Sequence, residues 1–318
     1  MKIVILDGHA INPGDLSWDA LRDLGSFEVF DRTSEDSIVP RAHDAEILLT
    51  TRTPLSRQTL MQLKRLRYIG VMFTGYDDID LKTARELQIP VTNIPIYATA
   101  SVAQLVFALM LELCHHVALH SGATHAGEWS RSTDFSFRKT PLIELQGKTM
   151  GIIGFGRIGR HVGEVAVAFG MRVIASAPSR RDTPEWPGFR WCDVGELMSA
   201  ADVVSLHCPL LPETLGMING SSLSKMKPGA FLINTSRGPL VVERDLADAL
   251  NGERLAGAAV DVLSSEPPTL NNPLLHAKNC IVTPHIAWAT KEARTRLIES
   301  VAANLRAFLE GHPVNVVN

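Results

Sequence analysis

The sequence predicts an α/β protein made of two doubly wound parallel sheets. Short apolar runs bounded by polar or turn residues alternate with segments of helix length, and this alternation is typical of βα units and a parallel sheet. The pattern occurs in two series along 318 residues, a length at which single hydrophobic cores give way to separate domains. We therefore expect two folded units rather than one large sheet.

The two series of predicted strands divide the chain near its middle. In the first series, apolar runs predict strands at 2–6, 45–50, 68–73 and 90–93, with helix-like segments at about 14–24, 55–66 and 80–88. The second series predicts strands at 149–153, 172–177, 201–208, 230–236, 255–262 and 280–284. The segments between these strands are long enough for the crossovers that parallel strands require.

Two further helices are expected to connect the units. Residues 99–121 form an apolar segment with few polar interruptions, which predicts a single helix passing from one domain to the other. Residues 122–145 carry aromatic side chains without a clean period and are expected to form an extended arm that packs on a neighbour. We predict one discontinuous domain, 1–98 plus 287–318, and a second domain, 99–286. The return helix at 291–309 has an apolar stripe at Ala293, Leu297, Val301, Leu305 and Leu309.

The composition is that of a globular protein without a polyanion partner. The chain is 45% hydrophobic and 20% charged, with a net charge of -3, so no excess of positive charge favours nucleic acid or anionic lipid. The four cysteines show no CxxC pair, which favours reduced thiols and a reducing compartment. No segment approaches the roughly 20 apolar residues of a membrane helix. We expect a cytoplasmic protein that binds neither nucleic acid nor membrane.

A glycine-rich turn at 154–159, GFGRIG, follows the predicted strand at 149–153 and opens a helix. Glycines at this spacing permit the tight turn, the close approach of backbone to a pyrophosphate and close helix-to-strand packing, while the helix N-terminus faces the phosphate charge. We therefore predict a dinucleotide site. The predicted cofactor contacts in this turn are Gly154, Gly156, Arg157, Ile158 and Gly159.

The residues after the next strand bear on the choice of cofactor. NAD sites normally place an acid about 20 residues beyond the turn, but this chain has Ala177 there, followed by Ser179, Arg180 and Arg181. Because no carboxylate repels a 2′-phosphate and guanidinium groups bind one, the sequence favours NADP modestly over NAD. The alternative is that Arg180 and Arg181 are solvated loop charges with no role in cofactor choice. In that case Asp182 is still available to bind a ribose hydroxyl.

Three polar residues lie at or just beyond predicted strand ends in the second series: Arg237, Glu266 and His285. Ligands of doubly wound sheets bind outside the carboxyl ends of the strands. A histidine beside a carboxylate can donate a proton to a ketone oxygen, and an arginine can clamp a substrate carboxylate in bidentate fashion. Individually, each residue has a structural explanation, as a turn cap, a loop charge or a core histidine. Together with a nicotinamide they predict hydride transfer between the cofactor and a 2-oxo acid.

Five motifs in this order resemble the D-isomer-specific 2-hydroxyacid dehydrogenase family: GIIGFGRIGR, HCPLLPET at 207–214, FLINTSRGPLV, AAVDVLSSEPP and IVTPHIAWAT. The segment IPIYATASVAQ and the tryptophan of HIAWAT are most similar to the glycerate dehydrogenase and hydroxypyruvate reductase branch of the family. The resemblance implies a Rossmann cofactor domain inserted into a flavodoxin-like substrate domain, an active site in the cleft between them, and a homodimer. It also implies the reduction of hydroxypyruvate or glyoxylate to D-glycerate or glycolate.

The resemblance assigns roles to residues by motif. It implies that Arg237 binds the substrate carboxylate and carbonyl, that Glu266 orients and charges the histidine, and that His285 is the acid/base. Thr74 and Gly75 resemble the family's substrate loop. The chain departs from the family at Ala177, in place of the acid, and at Gln104, where glutamate is common. The remaining implied cofactor contacts are Ser179, Arg180, Cys208, Pro209, Thr214, Thr235 and Asp261, the last holding the nicotinamide amide.

Other interpretations of individual features are weaker. The histidines at 115, 116, 120 and 125 lack a carboxylate at ligand spacing, and we expect no metal site. His207 is interpreted equally well as a polar core residue or as part of the site. Two alternative functions stay open: a dinucleotide-sensing binding protein similar to the corepressors of this fold, and a formate or phosphite dehydrogenase.

Overall fold

The computed structural model describes all 318 residues, and it contains two parallel sheets flanked by helices. The chain divides into two compact units, Met1–Ala98 with Ala289–Asn318 and Thr99–Trp288. The prediction of an α/β fold with two parallel sheets is confirmed.

The first unit contains a five-stranded parallel sheet of order β2-β1-β3-β4-β5. All residues of β3 and β4 are buried, which explains their uninterrupted apolar runs. The strands are β1 Lys2–Ile5, β2 Ser26–Val29, β3 Ile47–Thr50, β4 Tyr68–Val71 and β5 Val91–Thr92. The helices between them are α1 Asp19–Arg22, α2 Glu35–Ala42, α3 Arg57–Leu60 and α4 Leu81–Glu86.

The sequence prediction was incomplete in this unit. Strand β2 and helix α2 were missed because β2 is an edge strand with alternating exposed and half-buried residues, and α2 is short and contains Pro40. The helices expected at 14–24 and 55–66 are much shorter, since only α1 and α3 are helical there.

The second unit begins with two helices, α5 Thr99–His115 and α6 Val117–His125. The single helix predicted at 99–121 was wrong, because His116 adopts a left-handed conformation with φ +47° and the two helices bend by 56°. No helix alone has the length and apolarity of a membrane span, although this bent pair reaches both when its helices are taken together. The stretch 126–148 contains neither helix nor strand.

The sheet of the second unit has seven parallel strands in the order β12-β11-β10-β9-β6-β7-β8. The strand order reverses between the neighbours β6 and β9, so a crevice opens there at the carboxyl ends. The strands are β6 Thr149–Ile153, β7 Arg172–Ser176, β8 Arg190–Trp191, β9 Val203–Leu206, β10 Phe231–Asn234, β11 Gly257–Val260 and β12 Cys280–Val282. The helices are α7 Arg157–Ala168, α8 Val194–Ala200, α9 Gly220–Leu223 and α10 Glu243–Asn251.

The last helix, α11 Lys291–Leu309, returns to the first unit. Four residues of its predicted stripe are buried, whereas Leu309 is half-buried. Arg294, 8% exposed, makes a bidentate pair with Asp15 at 2.8 and 2.7 Å, and this contact lowers the pKa of the Asp15 carboxyl. The helix is therefore fixed to this unit by both apolar packing and charge.

Candidate active site

The glycine-rich turn has the geometry of a phosphate cradle. Gly154 has φ +93°, and a Cβ placed on it would lie 2.4 Å from the backbone nitrogen of Cys208. A Cβ on Gly159 would lie 2.2 Å from the carbonyl oxygen of Gly154. Gly156, the N-cap of α7, faces open space within 4 Å. Backbone packing therefore excludes side chains at Gly154 and Gly159, while the space at Gly156, in front of the helix N-terminus, fits a pyrophosphate.

The loops after β9 and β10 meet beside this turn. The Ser236 hydroxyl donates to the carbonyl of Cys208 at 2.6 Å. The Thr235 hydroxyl is inaccessible to water and has no hydrogen-bond partner within the chain. Thr214 instead donates to the carbonyl of Pro209 at 2.8 Å and stabilises its own loop.

Beyond β7, the chain exposes the positive charges predicted to select the cofactor. Ser179, Arg180 and Arg181 are all exposed, and neither arginine makes a hydrogen bond or ion pair within the chain. The next residue, Asp182, has φ +51°, and its carbonyl accepts a hydrogen bond from the Arg160 guanidinium. Arg160 therefore connects α7 to the segment that carries the two free arginines.

An aromatic cluster supports the same segment. Phe155, from the glycine-rich turn, packs against Trp186, Phe189 and Trp191 with ring centroids 5.2 to 5.9 Å apart. The Arg160 guanidinium lies 5.2 Å from the centroid of the Phe155 ring. The cluster joins the glycine-rich turn to the chain between β7 and α8. It stabilises this contact through apolar packing and through attraction between the rings.

His285 and Glu266 form a close pair. The Nδ1 atom of His285 lies 2.7 Å from Oε2 of Glu266, and each side chain is 28% exposed. The other carboxylate oxygen, Oε1, accepts from the backbone N–H of Leu263 at 3.1 Å. Because one oxygen is held by the backbone, the carboxylate is oriented toward the imidazole. A cavity of about 500 Å³ adjoins the pair, lined by Asp261, Leu263, Glu266, Pro267, Pro268, Leu275, Val282, Thr283, Pro284 and His285.

Asp261, at the end of β11, holds the loop that carries His285. Its carboxylate, 1% exposed, accepts hydrogen bonds from the Thr283 hydroxyl and from the backbone N–H groups of Ile286 and Ala287, at 2.6 to 2.9 Å. Its carbonyl also accepts from the backbone N–H of His285 at 2.8 Å. These bonds maintain His285 at φ +53°, a conformation that is uncommon for residues other than glycine.

Arg237 lies in a turn that is organised by Asn234. The buried Asn234 side chain donates to the carbonyl of Arg237 at 2.9 Å and accepts from the backbone N–H of Ser236 at 3.0 Å. A Cβ on Gly238 would lie 2.0 Å from the carbonyl carbon of Leu263. The turn with Arg237 thus packs directly on the loop with Glu266.

The three predicted catalytic residues therefore share one edge of the sheet. Arg237, Glu266 and His285 follow β10, β11 and β12, which are neighbouring parallel strands. The structure brings Glu266 and His285 into contact and Arg237 onto the adjoining loop. Sequence reasoning missed Asn234 and Glu243, which shape these loops; the signal for Asn234 was its position at the end of the strand that precedes the arginine.

Histidines outside the pair have other partners. Nε2 of His207 lies 2.8 Å from the Ser205 hydroxyl, and desolvation lowers the pKa of His207 to about 4. This supports the polar core interpretation. His120 contacts the carbonyl of His116 through Nδ1 and accepts from the backbone N–H of Lys139 through Nε2. The chain holds no group of three or more His, Cys, Asp or Glu side chains arranged as metal ligands.

In the first unit, the predicted substrate loop follows β4. The Thr74 hydroxyl donates to the carbonyl of Ile94 at 2.8 Å, and the Asn93 amide donates to the carbonyl of Thr74 at 2.7 Å. The adjacent loop, after β3, is shaped by Asp7, which accepts from the backbone N–H groups of residues 51 to 53. Both loops lie at the carboxyl edge of this sheet, where ligands of such sheets bind.

Known proteins are similar to this chain over its full length. Residues 107–287 match the family described as D-isomer specific 2-hydroxyacid dehydrogenase, NAD binding domain. A hydroxypyruvate reductase of Blautia hydrogenotrophica is 50% identical, covering 100% of both chains. A glycerate dehydrogenase of Methylorubrum extorquens is 36% identical, over 99% of this chain and 98% of that protein. Among solved structures, an acyclic imino acid reductase in complex with NADPH and D-Arg is 32% identical over 100% of both chains, with a TM-score of 0.87.

The fold and the site define an oxidoreductase with a dinucleotide-binding unit. The chain belongs to the D-isomer-specific 2-hydroxyacid dehydrogenase family and is an NAD(P)-dependent D-2-hydroxyacid dehydrogenase acting on a small-molecule acid.

Proposed function

We propose that this enzyme reduces hydroxypyruvate or glyoxylate to D-glycerate or glycolate. The observation that carries the proposal is the contact of 2.7 Å between His285 and Glu266, beside the turn that presents Arg237. The similarity to a hydroxypyruvate reductase and a glycerate dehydrogenase supports the choice of substrate. Both substrates are small 2-oxo acids, and both offer one carboxylate and one ketone or aldehyde carbonyl.

Each of the three residues has a distinct proposed task. The reduced nicotinamide, when bound, supplies the hydride. Arg237 clamps the substrate carboxylate and polarises the carbonyl, and the backbone N–H groups around Thr74 and Gly75 bind the same carboxylate. His285 donates a proton from Nε2 to the carbonyl oxygen, because Nδ1 faces Glu266. Glu266 fixes the ring orientation through its contact with Nδ1.

We propose NADPH as the preferred cofactor. Ala177 leaves no carboxylate to repel a 2′-phosphate, and the exposed, unpaired Arg180 and Arg181 with Ser179 offer guanidinium and hydroxyl donors to it. Asp261 is proposed to hold the nicotinamide amide, in addition to the backbone contacts it makes within the chain. The pyrophosphate is assigned to Gly154, Gly156, Arg157, Ile158 and Gly159, and the rest of the dinucleotide to Cys208, Pro209, Thr214 and Thr235.

The two units have separate proposed roles. Residues 99–286 bind the dinucleotide, and 1–98 with 287–318 bind the substrate acid. We propose a homodimer, because the second unit exposes Val117, Trp129, Phe135 and Leu142 at 51 to 92%. Four free cysteines and the absence of a basic excess support a cytoplasmic enzyme without nucleic acid or membrane partners.

An absorbance assay at the reduced-nicotinamide band tests this proposal. NADH and NADPH are each combined with hydroxypyruvate, glyoxylate, pyruvate and a bulkier 2-oxo acid. We expect the highest kcat/KM with NADPH and either hydroxypyruvate or glyoxylate. Dinucleotide binding without turnover of any acid would favour a sensor protein instead, and oxidation of formate or phosphite with inert 2-oxo acids would favour those dehydrogenases.

A further inference from the structure

We propose that Glu243 is a positioning residue for catalysis, which closes the loop carrying Glu266 and thereby fixes the carboxylate against His285. The proposal rests on the function proposed above for that pair. Glu243 is the first residue of α10 and is separate from the three catalytic residues. Its carboxylate bonds to both ends of the loop 264–272, whose third residue is Glu266.

The two oxygens of Glu243 reach different ends of this loop. Oε1 accepts from the backbone N–H of Ser264 at 2.7 Å, and Oε2 accepts from the side-chain amide of Asn272 at 2.9 Å. Asn272 is 7% exposed, and its own Oδ1 accepts from the backbone N–H of Leu274 at 3.0 Å. A single carboxylate therefore joins the start of the loop to its end. Asn272 in turn fixes the next residues through its bond to the Leu274 N–H.

Glu243 and Glu266 bind neighbouring amides of the same chain segment. The N–H of Leu263 donates to Glu266 and the N–H of Ser264 donates to Glu243. If the Ser264 contact is lost, the backbone that follows Ser264 and carries Glu266 is held less firmly, and the Glu266 carboxylate loses its alignment with the Leu263 N–H. The effect on His285 is then indirect, through the orientation of Glu266, and requires no contact between Glu243 and substrate.

Glutamate suits this position for two reasons. Both of its partners are donors, so a group with two acceptor oxygens is required and a neutral amide cannot serve both. The N-terminus of α10 also stabilises negative charge on the helix's first residue. The free loop would otherwise adopt many conformations, since residues 264–271 are exposed and belong to no helix or strand.

A reciprocal exchange of groups tests the proposal. In Glu243→Gln, the amide nitrogen of the new side chain faces the Asn272 amide, donor against donor, and one end of the loop is released. In Asn272→Asp, two carboxylates face each other. When both substitutions are combined, the introduced glutamine donates to the introduced aspartate, which retains an oxygen for the Leu274 N–H. We expect kcat for 2-oxo acid reduction to fall about tenfold in each single variant and to recover to within about threefold of wild type in the double variant.

Asp245→Asn is a matched control on the same helix. Asp245 accepts from the backbone N–H of Gly220 at 2.7 Å and makes no bond to the loop of Glu266. We expect this variant to retain wild-type kcat, and all variants to retain the wild-type KM for the dinucleotide. Amide hydrogen exchange measured by mass spectrometry reports on loop order independently of activity. Backbone amides in peptides covering 263–272 should exchange faster in Glu243→Gln and at the wild-type rate in the double variant.

The outcomes separate this inference from the proposed function. A wild-type enzyme that turns over no 2-oxo acid contradicts the proposed function itself. An active wild type whose Glu243→Gln variant keeps full kcat overturns only the positioning role, and so does a double variant that folds with wild-type exchange but shows no recovery of kcat. Loss of kcat in the single variants, faster exchange of the loop and joint recovery support the role.

Discussion

The imidazole of His285 and the carboxylate of Glu266 lie 2.7 Å apart, although they are 19 positions apart in the chain. Both are brought to this place by backbone contacts. Asp261 holds the loop of His285 through three carboxylate bonds, and the Leu263 amide holds Glu266. The pair is thus oriented by the protein's own backbone, which is the arrangement expected of an acid/base group with its orienting carboxylate.

Glu266→Gln tests whether charge, and not only shape, matters in this pair. Glutamine keeps an oxygen for the Leu263 amide but removes the negative charge beside the imidazole. We expect kcat to fall about a hundredfold, within the range of acid/base effects, while the KM for the dinucleotide is unchanged. Steady-state kinetics at saturating NADPH measures this. A variant with at least half the wild-type kcat would exclude an electrostatic role for Glu266.

Asp261→Asn is expected to destabilise the fold as well as the site. One amide nitrogen would face a backbone N–H of Ile286 or Ala287, so a buried donor loses its acceptor. We expect the free energy of unfolding to fall by about 2–4 kcal/mol, and kcat to fall because the loop of His285 is released. Urea denaturation and kinetics on the same preparation measure both effects. Wild-type stability in this variant would show that the contacts of Asp261 are dispensable.

Replacing Arg180 and Arg181 together with alanine tests the choice of cofactor. Loss of two guanidinium groups should raise the KM for NADPH by about tenfold or more, and change the KM for NADH by less than about twofold. Arg172→Ala is the control, because Arg172 is also exposed but lies at the opposite end of β7. An equal loss for both cofactors would identify the two arginines as general contacts without selectivity.

The stability of the chain should depend on His207 in acid. Desolvation holds the pKa of His207 at about 4, below its ordinary value of 6.5. The folded state therefore binds fewer protons than the unfolded state between these values, and stability is lost as the pH falls from 6.5 toward 4. We expect His207→Asn to abolish about 2 kcal/mol of this acid-induced loss, measured as the change in unfolding free energy between about pH 7 and about pH 4.5. Exposed His43→Asn serves as the control, and equal losses in the two variants would contradict the assignment.

The sequence predicts those features whose causes are local. The glycine-rich turn is predictable because its glycine spacing is read from neighbouring residues, and Gly159 packs on the Gly154 carbonyl within one βα unit. The strands β3, β4, β6 and β9 to β11 are predictable because they are buried throughout and mostly apolar. The positions of Arg237, Glu266 and His285 followed from a rule about strand ends, which needs no coordinates.

Features that depend on distant partners were not predictable. The break between α5 and α6 requires a left-handed histidine at 116, a conformation that few residues other than glycine adopt. The contacts of Glu243 reach Ser264 and Asn272, 21 and 29 residues further along the chain. The contacts of Asp261 with residues 283 to 287 likewise arise only when β11 and β12 pair.

The most direct test of the site is the variant His285→Ala, assayed for turnover and for cofactor binding in the same preparation. The imidazole is removed, while the glycine-rich turn and its space for a pyrophosphate remain. We predict that kcat with hydroxypyruvate or glyoxylate falls by about a thousandfold or more, and that the Kd for NADPH, followed by quenching of tryptophan fluorescence, stays within about twofold of wild type. Turnover at the wild-type rate in this variant would contradict the account.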